Sequence, residues 1–347
     1  MTPYLHNLDP FAIRFFGDVG VRWYGIAYVA GFVVAFLLIR RVLRNGASPL
    51  VAGAAADLVA VLALGAVLGG RLGYIAFYQP SLLWTFSDDL PFWNALAINR
   101  GGMASHGGMI GVVVAALVFA RRRRVPFLHV VDLAAFSAPI GLFFGRLANF
   151  VNGELYGRAA PAGLAWAVKF PTEMRTWGVE RVTAMQEALV RVGAPALAVD
   201  DVIRAVQSGD ARVTSAITPL LTARHPSQIY EALLEGALLF AIVAVVWSRA
   251  RKPGVVAATF GGAYAAVRIF GEQFRLPDAP LFSVAALDVS LTRGQALSVV
   301  LLFGAVLVAV GAARGGAMKL GGWRRAAVVV AAFGRARSGG SKASPMC

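Results

Sequence analysis

Long apolar runs constrain this chain more than any other feature of its sequence. A helix needs about 20 mostly apolar residues to cross the hydrocarbon core of a bilayer. Runs that meet or approach this length lie at 24–40, 54–78, 107–120, 130–150, 229–248, 254–274 and 295–313. In agreement, 58% of the 347 residues are hydrophobic and 15% are charged, whereas soluble domains carry about 25% charged residues. The sequence predicts an all-α polytopic membrane protein with about seven transmembrane helices.

Basic residues predict the orientation of these helices. Clusters of arginine and lysine follow the first, third, fifth and seventh runs, whereas the loop at 79–99 contains neither. Because loops on the cytoplasmic side are enriched in these residues, we expect the N-terminus outside and the C-terminus inside. The same clusters account for the net charge of +15, so nucleic acid is not an expected partner. Residues 1–10 lack the basic start of a cleavable signal peptide.

The domain prediction follows from this topology. Residues 1–313 form a seven-span catalytic domain, with residues 159–224 inserted as a small extracytoplasmic cap. Within the cap, apolar residues recur at helical spacing between Val182 and Val192, and Asp200 to Gln207 could form a second short helix. Residues 314–347 are predicted to be a basic cytoplasmic tail, partly disordered from about Ser338.

Charged residues inside the apolar runs point to a function, because burying charge in a bilayer is costly. In the sixth run, four polar residues recur at intervals that place them on one helix face. They are Tyr264, Arg268, Glu272 and Arg275. The alternative is that Arg268 and Glu272 form a structural ion pair, since they stand four residues apart.

The outer end of the fourth run carries a second polar group. Arg146, Asn149 and Asn152 share a face, and Glu154 follows. A polar clamp between helices would explain the asparagines better than the arginine. Arg71 adds a third intramembrane arginine. Because the guanidinium fork matches phosphate and carboxylate, these arginines predict a cationic cavity at headgroup depth and an anionic phospholipid substrate.

His106 directly precedes the third run and stands among several glycines, including Gly107 and Gly108. Glycine allows the backbone to approach a ligand closely, and histidine can transfer protons near neutral pH. A structural hydrogen-bonding histidine is the alternative. Because the chain has one cysteine, at its last position, any thiol chemistry is expected to use a thiol of the substrate. Asp57 and Asp132, near the cytoplasmic ends of their runs, are interpreted as structural.

Several motifs together resemble one known family. GRLANFVNGELYGR at 145–158 and HGGMIG at 106–111 resemble the two hallmark motifs of the prolipoprotein diacylglyceryl transferases. Similar matches are RWYG at 22–25, GGRLGY at 69–74, RHPSQIYEALLEG at 224–236 and YAAVRIFGEQFRLPD at 264–278. The resemblance extends over residues of about 20 to 312, in the order typical of the family.

The resemblance implies an enzyme of the bacterial inner membrane, with seven spans and an active site toward the outer leaflet. Such an enzyme moves the diacylglyceryl group of phosphatidylglycerol to the lipobox cysteine thiol of a preprolipoprotein. A thioether forms and glycerol 1-phosphate leaves, which is the first step of lipoprotein maturation. The implied partners are phosphatidylglycerol, the signal-peptide and lipobox region of the acceptor, and the membrane. No metal or organic cofactor is implied.

The resemblance also implies roles for individual residues. Arg146 and Arg268 bind the phosphate, His106 is the candidate base, and Tyr264 stabilises or relays its proton. Phosphatidylglycerol is also contacted by Tyr24, Asn149, Glu154, Gly107 and Gly108. The residues assigned to gating and support are Glu272, Arg275, Arg71, Asn152 and Gly157. An arginine-rich site could also lower the pKa of the thiol without any base.

A transporter of organic anions or lipids is the strongest alternative class. Transporters typically show internal repeats and a binding site at the midplane of the membrane. This chain shows no convincing repeat, and its polar residues are predicted to lie in the outer half. An enzyme is therefore the preferred interpretation.

Overall fold

The computed structural model describes residues 2–16, 19–88, 91–98, 101–249, 252–276, 280–284 and 289–316. These residues are mostly helical. The predicted tail from residue 317 onward, with its disorder boundary at Ser338, lies outside the described residues.

Each of the seven apolar runs falls on helical structure. The first four helices are α1 (Trp23–Arg44), α2 (Ala54–Phe77), α3 (Ser105–Arg123) and α4 (Phe127–Val151). The fifth run is one continuous helix made of α8 (Ser227–Glu231), a π-helical segment (Ala232–Leu238) and α9 (Leu239–Arg249). The last two are α10 (Val255–Gly271) and α11 (Arg293–Arg314).

Among the described residues, four helices are long and apolar enough to cross a membrane. They are α1, α2, α4 and the continuous helix Ser227–Arg249, and two shorter apolar helices lie at Val255–Gly271 and Ser298–Arg314. The apolar stretch of α3 is shorter because this helix begins with Ser-His-Gly-Gly and ends on three arginines. The protein is therefore a multi-pass membrane protein, and the count of seven spans stays a prediction.

The chain divides into two compact units. Of the described residues, those within 1–31, 139–239 and 261–303 form the first unit, and those within 32–138, 240–260 and 304–316 form the second. Two antiparallel hairpins belong to the first unit, namely β2 (Phe11–Phe16) with β3 (Val19–Arg22), and β6 (Pro280–Val284) with β7 (Val289–Thr292).

The first unit also contains the segment predicted as a cap. Its two predicted helices are confirmed as α5 (Val179–Arg191) and α6 (Val199–Gln207), and a third, α7 (Ala211–Ile217), was not predicted. The carboxylate of Asp210 accepts bonds from the backbone N–H groups of Arg212 and Val213, which caps the start of α7. Aspartate at this position is a common start signal for a helix, so the sequence did contain the signal.

These helices enclose a hydrophobic core of their own. Met185, Leu189 and Ile217 are completely buried in it. A small sheet adjoins the core, with β4 (Val168–Lys169) between β1 (Tyr4–Leu5) and β5 (Ala223–Arg224). The segment therefore has the packing of a small domain.

His6 ties the N-terminal strand to the end of α4. Its ring is buried, contacts the rings of Phe150 and Phe170, and places Nε2 2.7 Å from the carbonyl oxygen of Phe150. Because the carbonyl accepts, Nε2 carries the proton. Burial lowers the pKa of His6 below its ordinary value of 6.5.

In the second unit, α2 and α3 pack backbone to backbone through glycines. A methyl group on Gly107 would lie 2.8 Å from Cα of Gly73, and one on Gly69 would lie 2.7 Å from Cα of Gly111. Small residues at such crossings let two helices approach closely in a membrane. Gly69, Gly73, Gly107 and Gly111 are thus required for this packing.

Asp132 has the structural role that the sequence predicted. Its carboxylate accepts bonds from the backbone N–H groups of Gly254 at 2.7 Å and Ala257 at 2.8 Å. These groups belong to the first turn of α10 and have no partner within the helix. Asp57 pairs with Arg123 at the end of α3.

Candidate active site

Three arginines and three glutamates form one cluster in the first unit. Helix α4 supplies one arginine, and α10 with the turn after it supplies two arginines and one glutamate. The other two glutamates come from the helix Ser227–Arg249. The six residues are Arg146, Arg268, Arg275, Glu231, Glu235 and Glu272.

Glu235 joins the two arginines that the resemblance assigns to phosphate binding. Its Oε2 accepts from Nε of Arg146 at 3.0 Å and from Nη2 of the same arginine at 2.8 Å. Its Oε1 accepts from Nη1 of Arg268 at 3.2 Å. One carboxylate therefore holds both guanidinium groups, which arrive on helices far apart in sequence.

Glu231 contacts all three arginines. It accepts from Nη1 of Arg268 at 2.8 Å and lies 2.9 Å from Nη1 of Arg146. Nη1 of Arg275 donates to it at 3.3 Å. Glu272 is a more distant partner, 3.6 Å from Nη2 of Arg268. The predicted Arg268–Glu272 ion pair is therefore present, but Glu231 and Glu235 hold Arg268 more closely.

The cluster is buried and its formal charges balance. Glu231 and Glu235 are each 1% exposed, whereas the side chains of Arg146 and Arg268 keep 13% and 12% of their surface exposed. Charges taken out of water need partners of opposite sign and good geometry. Here each arginine has such partners, so the guanidinium groups of Arg146 and Arg268 are held in position before any ligand arrives.

The local structure explains how Glu231 and Glu235 reach the same arginines. They flank the start of the π-helical segment Ala232–Leu238, and segments of this rare geometry often occur at functional sites. Gly236 allows α4 to approach this helix, because a methyl group there would lie 2.6 Å from Cβ of Phe143.

The end of α10 differs from the prediction. The apolar run suggested a helix through residue 274, but α10 ends at Gly271. Glu272 and Arg275 therefore lie in the turn that follows, and Arg275 returns toward Glu231. Tyr264 lies earlier on α10 and is half-buried. It is close enough to Glu235, Arg146 and Arg268 to interact with them electrostatically.

A second polar group surrounds Tyr24. The hydroxyl group of Tyr24 bonds to the side-chain oxygen of Asn149 and, at 3.2 Å, to Oε2 of Glu154. The amide of Asn152 donates to Oε1 of Glu154 at 3.4 Å. Asn149 lies one turn beyond Arg146 on α4, so this group adjoins the arginine cluster. Tyr24, Asn149, Asn152 and Glu154 are thus brought together as the motifs suggested.

The turn after α4 supports both groups. Gly157 donates its N–H to the carbonyl of His225 at 3.0 Å, and a methyl group on it would lie 2.5 Å from the carbonyl oxygen of Phe274. Nε of Arg158 donates to the carbonyl of Arg275 at 2.9 Å. Gly157 therefore has no room for a side chain, and the backbone of Arg275 is fixed from this turn.

In the second unit, His106 lies in the first turn of α3. Its Nε2 is buried, and none of the described residues provides it with a hydrogen-bond partner. Gly107 beside it packs against Gly69 and Gly73 of α2, and a methyl group on Gly108 would lie 3.4 Å from the carbonyl oxygen of Ala66. Helix packing thus accounts for Gly107, while contact of Gly107 and Gly108 with a substrate stays a prediction.

Arg71 is committed to the loop before α3. Its Nε donates to the carbonyl oxygen of Ala95 at 2.8 Å, and its Nη2 donates to the carbonyl oxygen of Asn94 at 2.5 Å. Its Nη1 donates to the carbonyls of Gly101 at 2.7 Å and Gly102 at 2.9 Å. The cavity argument grouped Arg71 with Arg146 and Arg268, whereas the resemblance assigned it to gating and support. Its donors bind backbone carbonyls, so the support role stays the prediction for Arg71.

No role was predicted for Glu231 and Glu235 from the sequence. Both are acidic residues within an apolar run, the same signal that singled out Arg146 and Arg268. Two carboxylates spaced four residues apart on a predicted span would have indicated partners of opposite charge.

These helices and this buried cluster define a class, namely multi-pass membrane proteins that hold a buried cluster of paired arginines and carboxylates. A family model described as prolipoprotein diacylglyceryl transferase matches residues 10–310. The chain belongs to this family, and the resemblance found in its motifs is confirmed.

Several named relatives align with most of this chain and with most of their own lengths. A phosphatidylglycerol–prolipoprotein diacylglyceryl transferase of Bdellovibrio bacteriovorus is 40% identical over 92% of this chain and 97% of its own length. Proteins of the same name from Rhizobium meliloti and Rhodospirillum rubrum are 39% and 35% identical. They align with 84% and 91% of this chain and with 88% and 97% of their own lengths.

Proposed function

We propose that this protein transfers the diacylglyceryl group of phosphatidylglycerol to the lipobox cysteine of a preprolipoprotein. Family membership supports the reaction. The observation that carries the proposal for the site is the sharing of Glu231 and Glu235 by Arg146 and Arg268. Two guanidinium groups held side by side, each partly exposed, suit a phosphate that must be bound by more than one donor.

The transfer is a substitution at carbon. The thiol sulfur attacks the glyceryl carbon that carries the phosphate ester, a carbon–sulfur bond forms and the carbon–oxygen bond breaks. Glycerol 1-phosphate departs with the bonding electron pair, and the thiol proton passes to a base. Negative charge therefore builds on the phosphate, where Arg146 and Arg268 stabilise it.

His106 is the proposed base. A histidine can accept a proton near neutral pH, and its buried Nε2 has no hydrogen-bond partner in the described part of the chain. Tyr264, within electrostatic reach of Arg268 and Glu235, relays or stabilises the same charge. Tyr24, Asn149 and Glu154 hold the glycerol headgroup through the polar atoms that they already bring together.

The support residues act through position. Glu272 and Arg275 hold Arg268 and Glu231, Asn152 holds Glu154, and Gly157 fixes the turn beside them. We further propose seven spans in the bacterial inner membrane, an external N-terminus and an active site toward the outer leaflet. Residues 159–224 form the extracytoplasmic cap and residues 314–347 the cytoplasmic tail.

An assay with purified components tests the function. Detergent-solubilised protein is mixed with phosphatidylglycerol and a lipobox peptide with one cysteine, and the matched control peptide has serine at that position. We expect glycerol phosphate to be released with the thiol peptide only. If folded protein releases none, the transferase proposal fails and the transport of an organic anion becomes the leading interpretation.

A further inference from the structure

The proposed reaction makes a product that is more highly charged than its substrate. Phosphatidylglycerol is a phosphodiester with one negative charge. Glycerol 1-phosphate is a monoester, and such groups carry about −1.5 to −2 near pH 7 because their second pKa is about 6. Arginines that bind the substrate phosphate therefore bind the product phosphate more tightly. A cluster of arginines alone would release its product slowly.

The carboxylates of the cluster offset this excess attraction. The three arginines face three glutamates, and the shortest contacts, of 2.8 to 2.9 Å, all involve Glu231 or Glu235. The cluster is therefore neutral before substrate binds. An incoming phosphate must compete with carboxylates that already occupy guanidinium donors.

Glu235 is the carboxylate best placed to compete. It takes the Nε and Nη2 donors of Arg146, which form the side edge of the guanidinium group. Phosphates bind arginine along the same kind of edge. Its other oxygen meets Arg268, so its two partners are the two proposed phosphate ligands, whereas Glu231 is also held by Arg275.

We propose that Glu235 is an internal competitor that positions Arg146 and Arg268 and promotes the release of glycerol 1-phosphate. When the phosphate binds, it displaces Glu235 from part of the Arg146 edge. When the product forms, the carboxylate returns to these donors. This inference rests on the proposed function, because it concerns the fate of that reaction's product.

A purely structural ion pair is the competing explanation, and the cap offers a matched control. Glu173 is fully buried and binds Arg224 at 2.6 Å and Arg181 at 3.3 Å. It is therefore an equally buried glutamate with two arginine partners, outside the cluster. We expect loss of its charge to perturb the stability of the cap while the direct partners of Arg146 and Arg268 stay in place.

The test compares wild type with Glu235→Gln, the charge-balanced Glu235→Gln/Arg275→Gln double variant, and Glu173→Gln. Binding of glycerol 1-phosphate is measured by calorimetry, and product formation by chemical quench. In Glu235→Gln we expect binding to tighten at least about tenfold, because one nearby negative charge is lost. We also expect a burst of about one product per enzyme, followed by turnover at least about tenfold slower. The Glu235→Gln/Arg275→Gln double variant, whose charge is balanced, should bind glycerol 1-phosphate with nearly the wild-type affinity.

The inference is overturned if Glu235→Gln binds glycerol 1-phosphate no more tightly than Glu173→Gln, or forms product without a burst. If Glu235→Gln does not fold, Arg275→Gln alone reverses the change of charge and should weaken binding at least about tenfold; unchanged binding would refute the idea. A wild-type protein that binds glycerol 1-phosphate but performs no transfer would refute the proposed function instead.

Discussion

Replacing Gly107 by alanine tests the packing of α2 against α3. The added methyl group would lie 2.8 Å from Cα of Gly73, whereas two carbon atoms pack best at about 3.5–4.0 Å. The helices must therefore separate by roughly 1 Å at this crossing. Overpacking of this kind costs about 1–3 kcal/mol. The change adjoins His106, and a displacement of about 1 Å at a reacting group can lower a rate about 100-fold.

Thermal unfolding in detergent and the peptide assay measure these two effects. Gly262→Ala is the matched control, because a methyl group there meets no heavy atom of the described residues within 4 Å. Alanine is favoured over glycine inside a helix by about 1 kcal/mol, so the control should be as stable as wild type or more so. A Gly107→Ala protein that melts like the control and retains its rate would refute the reasoning.

Five further substitutions test other parts of the structure. Arg146→Ala and Arg268→Ala should each lower kcat/KM by about 100- to 1000-fold or more, since each removes phosphate donors; wild-type turnover in either inserted variant would contradict the phosphate assignment. His106→Asn should slow transfer and remove its rise with pH, and a pH–rate profile like that of wild type would move the base elsewhere. The unfolded chain takes up a proton at His6 near pH 6.5, whereas the folded chain does so only at lower pH. Stability should therefore fall as pH drops below about 6.5, and His6→Gln should weaken this dependence in melting curves from pH 7 to 5. Arg71→Lys should lose about two of the four backbone hydrogen bonds and about 1–3 kcal/mol of stability. An unchanged melting temperature would contradict the view that Arg71 holds the loop before α3.

Much of the helical framework could be predicted, because the length of an apolar run is a local property of the sequence. The limits of α10 could not, since the run continues through Phe274 while the helix ends at Gly271. The apolar pattern cannot distinguish a buried turn from a buried helix. That ending matters because it directs Arg275 back toward Glu231.

The arginines of the cluster could be singled out from the sequence, but the roles of Glu231 and Glu235 and the pairing of the cluster's members could not. Arg146 and Glu235 are 89 positions apart, and only the fold brings them together. Spacing along α10 identified Glu272 as the partner of Arg268, whereas Glu231 and Glu235, from a different helix, are closer. The packing of Gly107 against the glycines of α2 was not predicted from its motif, because only the fold brings these helices together.

The contacts of Arg71 have a consequence for how this protein can change over time. Its guanidinium group binds carbonyl oxygens at Asn94, Ala95, Gly101 and Gly102, and every amino acid supplies a carbonyl oxygen. These four contacts therefore set no requirement on the side chains of the loop, apart from its glycines. Gly101 and Gly102 have φ values of 86° and 80°, which suit glycine, and a methyl group on Gly102 would lie 2.7 Å from Nη1 of Arg71. Related sequences can thus vary exposed positions such as Leu96 and Ile98 while these four contacts stay the same.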